Sequence, residues 1–168
     1  MTADQPQIPA PRRRAIRKAL LRWGAIGLGV LVFLFVVIQA VPYGRDHSNP
    51  PVRQEPTWDN PETRALAVDA CFDCHSNQTH WPWYSNVAPV SWLAQRDVDA
   101  GRKALNFSEW GREQEGADEA AEKVADKEMP PSYYGWLHPK ARLSSDERQA
   151  LIQGLEAMFG GGGGGEGD

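Results

Sequence analysis

The two cysteines of this chain stand three apart, and a histidine follows the second: Cys71-Phe72-Asp73-Cys74-His75. No other cysteine occurs in its 168 residues. His80 and an aromatic group, Trp81, Trp83 and Tyr84, come soon after. Residues of these types at this spacing can do four kinds of chemistry. They can carry a haem on two thioether bonds, ligate zinc, act as a redox dithiol, or close a structural disulfide.

Structural zinc takes four Cys or His ligands. Cys71, Cys74, His80 and His138 could supply them, but the second pair lacks finger spacing. A redox C-x-x-C opens a helix beside a βαβ pattern, and no segment here has strand periodicity. A disulfide across two residues closes a very small loop and stabilises little. Covalent haem attachment needs C-x-x-C-H, and every required group is present. Cys71 and Cys74 would each add to one haem vinyl group, and His75 would be the proximal iron ligand. The reading is one covalently held haem c.

The sixth ligand must come from elsewhere in the chain. Met129 is the candidate: the other methionines are Met1 and Met158, and Met158 falls in the apolar pattern of the last helix. Met129 precedes two prolines that stiffen its loop. A thioether ligand raises the haem potential. His138, in a His-Pro turn, is the runner-up, and a second histidine would lower the potential. His80 lies too close to His75 in sequence to reach the opposite face. An open sixth position would suit a sensor or weak peroxidase instead.

The chain must also export this motif. Trp23 to Val41 reads WGAIGLGVLVFLFVVIQAV, with Gln39 its one polar side chain. As a helix it spans about 28 Å, close to a bilayer core. Arg12, Arg13, Arg14, Arg17, Lys18 and Arg22 precede it, which places the N-terminus in the cytoplasm. A cleaved signal peptide competes, but Ile38-Gln39-Ala40 is a poor small-x-small site. The expectation is a single-pass anchor in the inner membrane with the rest periplasmic. Thiols there oxidise unless something claims them. From Tyr43 onward there are 12 basic and 21 acidic residues, a net −9. That does not read as a nucleic-acid binder; such a charge keeps a domain soluble, and it could also attract a basic protein partner.

Five segments follow from composition: a basic segment 1–22, the anchor 23–41, a proline-rich tether 42–57 with a solvated His47, a domain 58–159, and a glycine-rich tail 160–168. Within the domain, Asn60, Pro61 and Glu62 start a helix that ends at the cysteines. A second helix is expected from Ser91 to about Leu105, and a third from Glu113 to Lys127. Residues 128–139 should form an aromatic loop. Ser144 and Glu147 make a capping box before Leu151, Ile152, Leu155 and Phe159, which recur at helical spacing. Trp81, Trp83, Tyr84, Trp92, Tyr133, Tyr134 and Trp136 are the expected pocket walls, and Arg142 a candidate propionate partner.

Several blocks together carry a resemblance: CFDCHSN (71–77), WPWYSNVAPVSWL (81–93), DVDAGRKALNFSEW (97–110), EMPP (128–131) and HPKARLSSDERQALIQGL (138–155). Over about residues 58–159 the chain resembles the small membrane-anchored haem-binding domain family of bacterial proteins with a single C-x-x-C-H. The resemblance implies haem binding on an all-α, cytochrome-c-like fold. The expected role is one-electron transfer with redox partner proteins in or near the membrane. The rivals are a haem sensor or weak peroxidase and a zinc-stabilised interaction module. No hydrolase or transferase constellation and no phosphate-binding glycine loop is visible, so no enzymatic activity is expected.

Overall fold

A computed structural model describes residues 10–160. The chain divides into two units, 1–42 and 43–168. In the first, helix α1 runs from Ala10 to Ile38. Its stretch Arg13–Ile38 has a mean hydropathy of 2.3 in its most apolar window, long and apolar enough to cross a membrane or to serve as a signal sequence. The helix begins well before Trp23 because the flanking basic residues, with Ala15, Ala19, Leu20 and Leu21 among them, are themselves good helix formers.

Every regular element among the described residues of the second unit is a helix, joined by long loops. The one strand-like feature there is an isolated bridge between Gln54 and Glu109. Helix α2 (Pro61–Ala70) starts where expected: Asn60 Oδ1 accepts from Thr63 N at 2.9 Å, and Pro61 fills the first helical position. Helix α3 (Phe72–His75) is a single turn made by the motif itself. Helix α4 spans Val90–Ala104, with Arg102 and Lys103 in its last turn. Helix α5 covers Ala120–Ala125, and α6 covers Tyr134–Leu137. Helix α7 (Ser145–Phe159) is opened by the full capping box: Glu147 N donates to Ser144 Oγ at 3.2 Å, and Ser144 N to the Glu147 carboxylate at 2.7 Å.

Helix α7 packs on α2 and α5, while α4 packs on α3. Ala67, Phe72, Leu105, Phe107, Val124, Leu151, Ile152 and Leu155 form the core. Burying each large apolar side chain contributes about 1.5–3 kcal/mol. An aromatic row runs through this core: Phe72 stacks on Phe107 at 5.4 Å between centroids, Phe107 on Trp110 at 6.2 Å, and Trp110 on Phe159 at 4.8 Å. Phe72, inside the motif, thus roots the cysteine turn in the core.

Two expectations need correction. Residues 43–57 are a strap bound to the domain, not a free tether. His47 stacks on Trp81 at 4.5 Å between centroids, and its Nε2 lies 3.0 Å from the Ser85 carbonyl. Arg53 N and Gln54 N donate to the Ser108 carbonyl, and Trp110 N to the Gln54 carbonyl. The prolines leave this segment extended, and extended backbone here finds partners in the domain's own loops. The expected third helix is also much shorter. Gly116 N donates to the Ala104 carbonyl, and the Gln114 side chain accepts from Asn106 N. These tertiary bonds hold the segment before α5 out of helical geometry despite its alanine and glutamate content.

Candidate functional site

Cys71 ends α2, and the turn of α3 carries Cys74 and His75. The turn is closed by Cys74 N and His75 N, which both donate to the Cys71 carbonyl, at 3.1 and 2.9 Å. Ser76 Oγ donates to the Phe72 carbonyl at 2.7 Å and ends the turn. The consequence is that Cys71, Cys74 and His75 all line one cavity of about 460 Å³. Its size suits a bound organic group.

Helix α4 lines the same cavity and packs directly against the motif turn. Gly101 lies so close to the motif that a Cβ there would run into the Cys74 carbonyl. The chain then turns at Leu105, whose carbonyl oxygen is 3.1 Å from His75 Nδ1. A carbonyl only accepts, so Nδ1 carries the proton and Nε2 keeps its lone pair. Burial lowers the imidazole pKa below its ordinary 6.5, against the opposing pull of the Leu105 and Gly101 carbonyls. His75 is therefore neutral at pH 7, the state that ligates a metal.

A buried polar network fixes this loop. Phe107 N donates to the His75 carbonyl at 2.8 Å. Asn77 N donates to Ser108 Oγ, Asn106 Nδ2 to Asn77 Oδ1, and Ser108 N to Asn106 Oδ1, each at 2.9 Å. All three side chains are buried, and each is bonded. The sequence reading missed them. Their only signal was polar residues recurring on both sides of apolar positions, at 76–77 and 106–108.

Both cysteines are free thiols. Burial pushes the Cys71 thiol up to about 12. Burial does the same to Cys74, also to about 12, with the Asp97 and Asp73 charges adding to it. Among the described residues no group of three His, Cys, Asp or Glu side chains is placed to hold a metal ion. His80 is exposed, and His138 is engaged elsewhere, so the four residues of the zinc reading do not meet.

Met129 lines the same cavity as the cysteines, at its rim, and is 37% exposed. Its backbone N and that of Glu128 both donate to the Lys123 carbonyl at 3.0 Å, which ties its loop to α5. His138 does not line the cavity. Its Nε2 is 3.0 Å from the Tyr84 hydroxyl and its Nδ1 3.0 Å from the Tyr134 carbonyl. Both ring nitrogens of the runner-up are thus occupied. Met158 sits half-buried on α7, away from the cavity.

The expected aromatic walls are only partly right. Tyr133 and Tyr134 line the cavity; Trp81, Trp83, Tyr84, Trp92 and Trp136 do not. Trp83 and Trp136 are instead 79% and 77% exposed. Phe107, which the sequence reading did not single out, contributes a wall. Arg142 bonds the Gly135 and Trp136 carbonyls rather than facing the cavity. The cations that line it are Arg96 and Lys123.

The residues fit a haem on this structure's own evidence. Two thiol-bearing residues and a neutral histidine line one cavity. Ala70, Ala100, Gly101, Ala104 and Ala120 give it flat walls, with Leu105, Phe107 and Val124 behind. An all-helical domain with C-x-x-C-H on the wall of such a cavity defines a haem-binding protein. The model of the haem-binding domain family matches residues 33–157, and the chain belongs to that family. Comparison with curated proteins and with solved structures finds no match.

Proposed function

We propose that this haem-binding domain holds one haem c covalently and works as a membrane-anchored mono-haem cytochrome. Cys71 and Cys74 provide the thioether bonds, His75 Nε2 the proximal ligand and Met129 Sδ the sixth. The observation that carries the reading is the shared cavity: both thiols, the Nδ1-protonated His75 and Met129 all line it. Haem supplies a one-electron ferric–ferrous couple when bound.

The chain's own residues do the rest. Burial keeps the imidazole neutral, and the Leu105 carbonyl orients it. Phe107, Leu105 and Val124 exclude water from the cavity's inner end, which stabilises the less charged oxidation state. The net −9 from Tyr43 onward supports docking to a basic partner, with a salt-dependent on-rate. The N-terminal apolar helix supports an anchor that keeps the haem domain outside the cytoplasm, near membrane redox partners.

The exposure of Met129 supports a second reading. A thioether at the rim of a cavity is displaceable, which suits a sensor of gases or a weak peroxidase. Carbon monoxide added to the reduced protein separates the two: a carrier resists it and a sensor binds it.

The test of attachment is a haem-stained denaturing gel of the full chain made in a host with haem-attachment machinery. The wild type should stain, and the Cys71→Ala/Cys74→Ala double variant should not. A folded, unstained wild type ends the cytochrome reading.

A further inference from the structure

Asp73 lies between the two cysteines, and its carboxylate is held twice. Oδ1 accepts from His80 N at 2.8 Å, and Oδ2 accepts from the Tyr134 hydroxyl. Its backbone carbonyl accepts from Thr79 Oγ1 at 2.7 Å. Tyr134 opens α6, three residues after Pro131, and its own N donates to the Pro131 carbonyl at 3.0 Å. Asp73, Tyr134, Met129, Pro130 and Pro131 all line the cavity. Tyr134 is also braced from behind. Its ring stacks on His138 at 3.8 Å between centroids, and His138 is fixed by the Tyr84 hydroxyl.

We propose that Asp73 and Tyr134 are positioning residues: their hydrogen bond bolts the Met129 loop to the cysteine turn and so sets the ligand strength of Met129. The inference rests on the reading of Met129 as the sixth ligand. The loop has three fastenings, one of them the Tyr133 hydroxyl donating to Asp97 Oδ2 of α4 at 2.7 Å. On one side, Glu128 N and Met129 N bond the Lys123 carbonyl of α5. On the other, Tyr134 is the only cavity-lining side chain after Met129 that hydrogen-bonds the motif among the described residues. Loss of the bond to Asp73 leaves the loop tied to α5 and α4 but no longer to the cysteine turn. A charge-assisted hydrogen bond between a phenol and a carboxylate is among the stronger neutral–ion contacts, so its removal is felt. His138 has the same logic one layer out: it holds the ring of Tyr134, which explains why a histidine beside a haem site has both nitrogens turned to protein.

The test uses the full chain, matured with haem, in four variants. Tyr134→Phe keeps the ring and its stack on His138 but removes the bond. Asp73→Ala removes the acceptor, whereas Asp73→Asn keeps one. Met129→Ala is the reference for a lost ligand. Haem staining, the reduction potential, the thioether-to-iron charge-transfer band of the oxidised protein and the affinity of the reduced protein for carbon monoxide are read on each. Tyr134→Phe and Asp73→Ala should retain covalent haem, raise carbon monoxide affinity about tenfold, lower the potential and weaken the band, and Asp73→Asn should lie nearer the wild type. If Met129→Ala changes the potential, the band and the carbon monoxide affinity and Tyr134→Phe changes none of them, the positioning role is overturned while the ligand reading stands. If Met129→Ala itself changes none, the ligand reading falls and the inference with it.

Discussion

His75 Nδ1 and the carbonyl oxygen of Leu105 meet at 3.1 Å across a gap of 30 residues in sequence. That one bond requires the C-terminal end of α4 to lie against the motif turn, and Gly101 permits it. A Cβ at Gly101 would overlap the Cys74 carbonyl, and backbone cannot move aside as a flexible side chain can. Gly101→Ala should push α4 off α3, cost about 1–3 kcal/mol, and lower haem loading. Denaturant unfolding and haem staining check it. Unchanged stability with full loading would mean that the turn and α4 are not rigidly packed.

Helices α2 and α7 meet at a second close approach. Gly154 of α7 faces Thr63 of α2, and Thr63 is 1% exposed. A methyl at 154 has no space, because the Thr63 side chain fills it and is β-branched and stiff. Gly154→Ala gains helix propensity of about 1 kcal/mol, but overpacking of about 1–3 kcal/mol should outweigh it. The double variant Gly154→Ala/Thr63→Ala, with both the clashing Oγ1 and Cγ2 removed, should recover part of the loss. A single variant more stable than wild type would show that the crossing has slack.

The start of α7 gives a smaller, cleaner number. Ser144→Ala removes the acceptor for Glu147 N and breaks the reciprocal pair. The expected loss is about 1 kcal/mol in urea unfolding with an unchanged slope. A change below a few tenths would mean that the end of α7 frays in the native state.

The features that the sequence revealed are those encoded locally. Asn60-Pro61 and Ser144-x-x-Glu147 specify helix starts through bonds to residues three positions on, so their types suffice. The C-x-x-C-H spacing is likewise local, and Met129 lining the same cavity followed from its isolation in a proline-flanked loop. What was illegible depends on partners far along the chain. The strap 43–57 has no apolar period, and its order comes from backbone groups at Ser85, Ser108 and Trp110. The aromatic walls were misassigned because a tryptophan's type says it packs somewhere, not on which side. Trp58, Phe107 and Trp110 took the core, leaving Trp83 and Trp136 outside. Gly101 was the missed clue: a glycine inside an otherwise regular helix signals a close approach.

The strap also provides a pH prediction. Glu55 meets Arg64 of α2 in a two-pronged pair, Nε and Nη2 each at 2.8 Å, and accepts from Trp58 Nε1 at 2.9 Å. The Arg64 hydrogen bond, partly offset by burial, holds the carboxyl below its ordinary 4.5. A depressed carboxylate stabilises the fold above its unfolded pKa and stops doing so as pH falls through the folded one. Arg64 is 44% exposed, so solvent screens the pair and its contribution is about 0.5–1 kcal/mol. Glu55→Gln should therefore be less stable than wild type at pH 7 by that amount. The gap should close as pH drops below the ordinary value, because wild-type Glu55 is then protonated too. Unfolding curves for both proteins at pH 7, 5 and 3 measure it. A gap that stays constant down to pH 3 would assign the effect to the shape of the side chain and not to its charge.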